Sequence, residues 1–79
     1  METQNHPVVI GKKQILKELK NGNVEEIIIA VDAEAEYVNL LVSAAIEYSV
    51  NYLMRGTMAE IAESYGIDVP SGAVGVLNK

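Results

Sequence analysis

Seventy-nine residues, 49% of them hydrophobic and 22% charged, are enough for one domain with one core and too apolar for a disordered chain. The absence of cysteine excludes a disulfide framework, a thiol nucleophile and a zinc site built on thiolates. A net charge of −5 excludes the diffuse positive field that drives indiscriminate binding to nucleic acid.

Strand and helix signals alternate along the chain. The opening residues 1–7 have neither a basic start nor an apolar stretch and are expected to fray. Val8-Val9-Ile10 is a short β-branched run after Pro7, ended by Gly11. From Lys12 to Lys20 the period becomes helical, with Ile15, Leu16 and Leu19 on one stripe and Asn21-Gly22 as the stop. Ile27 to Val31 is continuously apolar, which predicts a central strand covered on both faces. Asp32 is placed to cap the next helix, Glu34 and Glu36 suit its positive end, and Val38, Leu41, Val42 and Ala45 form its apolar stripe. Val50 to Met54 reads as a third strand, and Gly56 turns the chain. Thr57-Met58-Ala59-Glu60 has the form of a capping box opening a third helix, with Met58, Ile61, Ala62 and Tyr65 on its apolar face. Gly66 suits the left-handed position after that helix, Pro70-Ser71-Gly72 is a loop, and Ala73 to Leu77 is a final strand. The order β-α-β-α-β-α-β, with helices of roughly 10 to 14 residues, implies helical crossovers packed on a sheet within a single domain.

The charge is unevenly placed. Four of the six Lys and Arg residues, against eleven Asp and Glu, fall between positions 12 and 20. Lys13, Lys17 and Lys20 follow i, i+4, i+7 spacing and share one narrow helical stripe. Such local charge suggests an anion partner at one site; a row of solvated lysines is the alternative, and on this feature alone the two stand level. If the first and third strands run parallel, the loops after both lie at one end of the sheet, which brings Arg55 toward the lysines as one basic patch. Taken by itself, Arg55 reads as a solvated loop residue.

Gly11-Lys12-Lys13-Gln14-Ile15-Leu16-Lys17, the run Ile27 to Asp32, the stretch Ala62-Glu63-Ser64-Tyr65-Gly66-Ile67 and the closing Ala73-Val74-Gly75-Val76-Leu77 together resemble the large-subunit ribosomal protein seven-Ae family of kink-turn RNA binders, and its small bacterial members most closely. The resemblance covers nearly the whole chain. It implies a three-layer α/β/α sandwich with a four-stranded mixed sheet, and RNA binding at the start of the first shared helix and at the loop before the last helix. By that resemblance Gly11, Lys13, Gln14 and Lys17 occupy the RNA-reading motif, flanked by Lys12 and Lys20, while Met54, Arg55 and Gly56 occupy the second binding loop. Lys13 and Gln14 stand where archaeal members have Asn and Glu, so the hydrogen-bond pattern offered to a sheared G·A pair differs. Ala62 replaces a glycine common in the last helix.

Catalysis finds little support. The single histidine, His6, lies in the opening segment, so neither a His-based triad nor a His-rich metal site can be assembled. Gly11-Lys12-Lys13 lacks phosphate-loop spacing, and Gly72 to Gly75 lies in or beside a strand, where it cannot serve as a helix-linking RNA clamp. Glu34, Glu36, Glu60 and Glu63 are explained by capping and solvation. The four tyrosines mostly fall on apolar stripes and are expected to pack, with Tyr52 left open. No catalytic residue, metal or cofactor is therefore expected. The expected partner is structured RNA of the kink-turn type, with association to a ribosome as a further implication, and a monomer is favoured over a dimer. The longest apolar run, Ile27 to Val31, is far short of a membrane span, so no membrane and a cytoplasmic location are expected. A protein-interaction domain on the same scaffold, using the acidic surface around Glu25, Glu26, Glu34 and Glu36, is the alternative.

Overall fold

The computed structural model of the protein describes residues 7–68 and 70–78, and in it the expected alternation is complete: β1 (Val8–Ile10), α1 (Lys12–Lys20), β2 (Val24–Ile29), α2 (Ala35–Glu47), β3 (Asn51–Met54), α3 (Met58–Ser64) and β4 (Ala73–Leu77). The four strands form one sheet in the order β1-β4-β2-β3. β4 runs antiparallel to both its neighbours, and β2 and β3 are parallel. The sheet is therefore mixed, with β1, β2 and β3 pointing one way and β4 the other.

Helices cover both faces. Ile15 and Leu19 of α1 and Leu41, Ala44 and Ala45 of α2 pack on Val24, Ile27, Ile29 and Ala73. On the other face, Ile61 of α3 packs on Ile28, Ala30 and Val74. Successive residues of β2 thus feed opposite cores, as the two-residue period of a strand demands, and the three-layer α/β/α arrangement follows. α1 sits close to β4 because Gly75 has no side chain: a Cβ there would lie 3.1 Å from Ile15 Cγ1 and 3.2 Å from Val9 Cγ2.

Three expectations shift. β2 starts at Val24 and ends at Ile29, because Val24 and Glu26 pair with Leu77 and Val76 across an irregularity in the ladder. Ala30 and Val31 have left that ladder, their N–H groups donating to Gly72 and Gly56 carbonyls, and Val31 is 55% exposed. The residue before α2 is Glu34, without a side-chain cap, and Asp32 instead accepts the Met58 N–H at the start of α3 at 2.8 Å. The third strand starts at Asn51, since the Val50 N–H is used by the Ala45 carbonyl at the end of α2. The capping box forms as expected: Glu60 N–H donates to Thr57 Oγ1 at 3.1 Å and Thr57 N–H to Glu60 Oε1 at 2.8 Å.

Candidate functional site

Because three strands point the same way, the loops after β1, β2 and β3 and the loop before β4 meet at one end of the sheet. Backbone hydrogen bonds tie them together. Gly11 N–H donates to the Ala73 carbonyl at 3.3 Å, Ala30 N–H to Gly72 at 2.9 Å, Val31 N–H to Gly56 at 2.8 Å and Arg55 N–H to Ile29 at 2.9 Å. The N-termini of all three helices open at this same end.

Those three termini are chemically different. α3 is closed by its capping box and by Asp32. α2 follows Glu34 and carries Glu36 in its first turn, so its positive end already faces carboxylates. α1 has no side-chain cap from Gly11 and no acidic residue in its first turn, which leaves the Lys13 and Gln14 N–H donors and a partial positive charge facing outward. Gly11, which precedes it, holds φ 89° and ψ 159°, a region essentially confined to glycine, and a Cβ placed there would meet nothing within 4 Å. The backbone is thus open to close approach by an anion.

Lys12, Lys13 and Gln14 form that first turn. Lys13 and Gln14 are exposed, while Lys12 is half-buried with its Nζ 5.9 Å from the ring centroid of Tyr37. Lys13, Lys17 and Lys20 line one groove between α1 and α2, whose other wall includes Leu40 and Tyr48. The stripe read from the sequence is therefore a continuous row leading away from the helix start. Lys17 and Lys20 also lie in the last turn of α1, where they complement its negative end.

Arg55 and Gly56 reach the same end of the sheet but do not join that row. β1 and β3 occupy opposite edges, separated by three strand spacings or about 14 Å, because β4 inserts between β1 and β2. Arg55 lines a hollow on the α3 face with Glu60, Glu63 and Tyr65, so the single basic patch divides into two separate features. Met54 is 44% exposed on the β3 edge, in register with Ile29, which packs under α1 and α2.

Several residues matter here that the chain order did not reveal. Tyr37 packs its ring over Gly72, where a Cβ would lie 2.7 Å from Cε1, and so joins α2, the β4 approach and Lys12. Burial holds its hydroxyl above the usual tyrosine pKa, offset in part by a hydrogen bond with the Lys12 backbone, and it stays protonated at neutral pH. Val31 stands exposed where β2 emerges between the two corners. Tyr48 and Tyr65, expected to pack, and Tyr52, left open, are 37–40% exposed, since each sits at an element end or on the sheet edge. His6 lies outside the described residues. Among the described residues no cluster of three or more His, Cys, Asp or Glu could hold a metal ion, and no helix is long and apolar enough to cross a membrane.

Comparison with known proteins adds a consistent set of likenesses. The sequence profile of the ribosomal protein L7Ae/L30e/S12e/Gadd45 family matches residues 1–79. An "RNA-binding protein" of Bacillus pumilus (strain SAFR-032) is 32% identical over 75 residues, covering 95% of this chain and 92% of its own. "RNA-binding protein YbxF" of Geobacillus stearothermophilus is 33% identical over 70 residues, covering 89% of this chain and 85% of its own. Among solved structures, the Giardia lamblia 15.5kD RNA binding protein superposes with a TM-score of 0.84 at 26% identity over 91% of this chain. This chain spans 61% of the length of that one.

Proposed function

Since this chain belongs to the ribosomal protein L7Ae/L30e/S12e/Gadd45 family, we propose that it is a non-catalytic RNA-binding protein that takes a kinked RNA helix at the open N-terminus of α1. The observation that carries this reading is the contrast among the three helix starts at one end of the sheet. α3 is closed by its caps, α2 is uncapped but carries acidic residues at its start, and α1 alone sets uncapped N–H donors beside lysines. The names of the relatives favour RNA as the polyanion.

Each residue then has a physical role. Gly11 admits the sugar-phosphate backbone to the helix end, and the first-turn N–H groups bind phosphate or base edges. Gln14, exposed on that turn, has both a donor and an acceptor and reads a base edge where the kink widens the groove. Lys13, Lys17 and Lys20 follow phosphates along the flanking stem, with Lys17 about 6 Å and Lys20 about 10 Å along the axis from Lys13. Lys12 stays with Tyr37, which fixes where its charge sits. Arg55 and Gly56 meet an RNA that crosses the roughly 14 Å to the other edge of the sheet and give a second, separate backbone contact.

The test is a gel shift with a kink-turn RNA and a straight duplex of equal length at two salt concentrations. Preference for the kinked RNA that persists at the higher salt supports the reading. Equal affinity for the two, falling together as salt rises, reduces it to simple charge attraction.

A further inference from the structure

The groove between α1 and α2 has two chemically different walls. Lys13, Lys17 and Lys20 make one, and Ser43 and Glu47 of α2 stand on the other, with the more buried Leu16 and Ala44 at its base. Both helices start at the same end of the sheet, so the two rows run in the same direction. Ser43 to Glu47, like Lys13 to Lys17, is one helical turn or about 6 Å. Glu47 is out of place on two counts. It ends α2, where a carboxylate opposes the negative end of the helix dipole instead of complementing it. It also lines the same groove as lysines that take phosphates, where a fixed negative charge weakens binding of a polyanion. Ser43 and Glu47 are exposed, and among the described residues neither side chain is engaged in a hydrogen bond.

We infer that this wall reads ribose: resting on the RNA binding proposed above, Ser43 and Glu47 accept hydrogen bonds from 2′-hydroxyls of the stem strand whose phosphates the lysines hold. The chemistry selects that group. An ionised carboxylate can only accept, and along a nucleic-acid backbone the phosphate oxygens accept as well, which leaves the 2′-hydroxyl as the donor. A-form RNA displays these hydroxyls along its wide, shallow minor groove, so one strand can face lysines and acceptors together. Without the hydroxyl, Glu47 meets phosphate repulsion and no donor, and a site built to bond a hydroxyl rejects the analogue that lacks it. The lysine wall supplies affinity and the α2 wall supplies preference for ribose.

The test titrates a kink-turn RNA against the same RNA whose stems, but not its kink nucleotides, carry 2′-fluoro groups, which keep the A-form and cannot donate. A straight duplex is run alongside. The parent chain should bind the ribose stems about tenfold more tightly, the scale of one hydrogen bond to a charged group. Glu47→Ala should cut that ratio severalfold and bind the fluoro-RNA more tightly than the parent does, a gain that damage to the fold would not give. Glu47 is exposed at a helix end, and circular dichroism checks that the variant folds. A parent that prefers kinked RNA over the duplex yet binds both kinds of stem equally, or a Glu47→Ala chain that keeps the parent's ratio, overturns this inference and leaves the RNA reading standing. A parent without that preference for kinked RNA overturns the reading and the inference together.

Discussion

The Asp32 carboxylate, just past β2, accepts the backbone N–H of Met58 at 2.8 Å and so caps a helix that begins twenty-six residues later. This bond joins two loops at the end of the sheet where the three helices begin and supplements the Thr57–Glu60 box on the same helix. Asp32→Ala should therefore cost about 0.5 to 2 kcal/mol in urea unfolding, the range for loss of a helix N-cap, although the residue is exposed. Thr57→Ala should cost a similar amount, and the double variant should depart from additivity, since both side chains serve one helix end.

Ile28 is 8% exposed and packs with Ala30, Ile61 and Val74 under α3. Ile28→Ala should cost about 2 to 5 kcal/mol, because it strips buried carbon atoms and leaves a cavity in the smaller of the two cores. Chemical denaturation measures this, and a loss under about 1 kcal/mol would mean that α3 closes over the gap.

Local punctuation explains what was legible in the chain. β1, α1 and β4 have the expected bounds because Gly11, Asn21-Gly22 and Gly72 interrupt strong periodic runs on either side. The start of β2 was hidden because Val24-Glu25-Glu26 has no continuous apolar signal and is recruited by pairing with β4. The shared direction of β1, β2 and β3 followed from the helical crossovers, but the antiparallel β4 and the strand neighbours did not: the insertion of β4 between β1 and β2 is a contact between distant segments, and it moves the β3 end, with Arg55, a strand further from β1. In the site, the α1 start was visible as a glycine before clustered lysines. The Tyr37–Gly72 contact links residues thirty-five apart, and no local pattern announces it. Exposure of Tyr48 and Tyr65 was equally hidden, since a tyrosine on an apolar stripe reads the same at the centre of an element and at its end.

Gly11 lies in a backbone region that other residues enter at a cost of about 1 to 3 kcal/mol. Gly11→Ala should lose about that much stability through backbone strain, because the space around the new methyl group is open. RNA binding should fall further than stability if, as proposed, the sugar-phosphate backbone approaches where the methyl group would stand. Thermal unfolding and RNA titration on the same preparation separate the two effects.

Lys20 lies two turns into α1 on the groove side, beyond reach of the helix-start donors. Lys20→Ala should weaken kinked and straight RNA alike and lower the slope of log affinity against log salt by about one unit, because a phosphate contact releases a counterion without reading bases. A slope that does not change would remove Lys20 from the RNA path and leave it as a complement to the end of α1.

The most direct measurement is the affinity of Gln14→Ala for a kink-turn RNA and for a straight duplex, titrated side by side with the parent chain. If Gln14 reads a base edge at the open start of α1, the variant should lose roughly 1 to 3 kcal/mol on the kinked RNA and almost nothing on the duplex. Equal losses on both RNAs, or no loss on either, would contradict the claim that this helix start reads the kink.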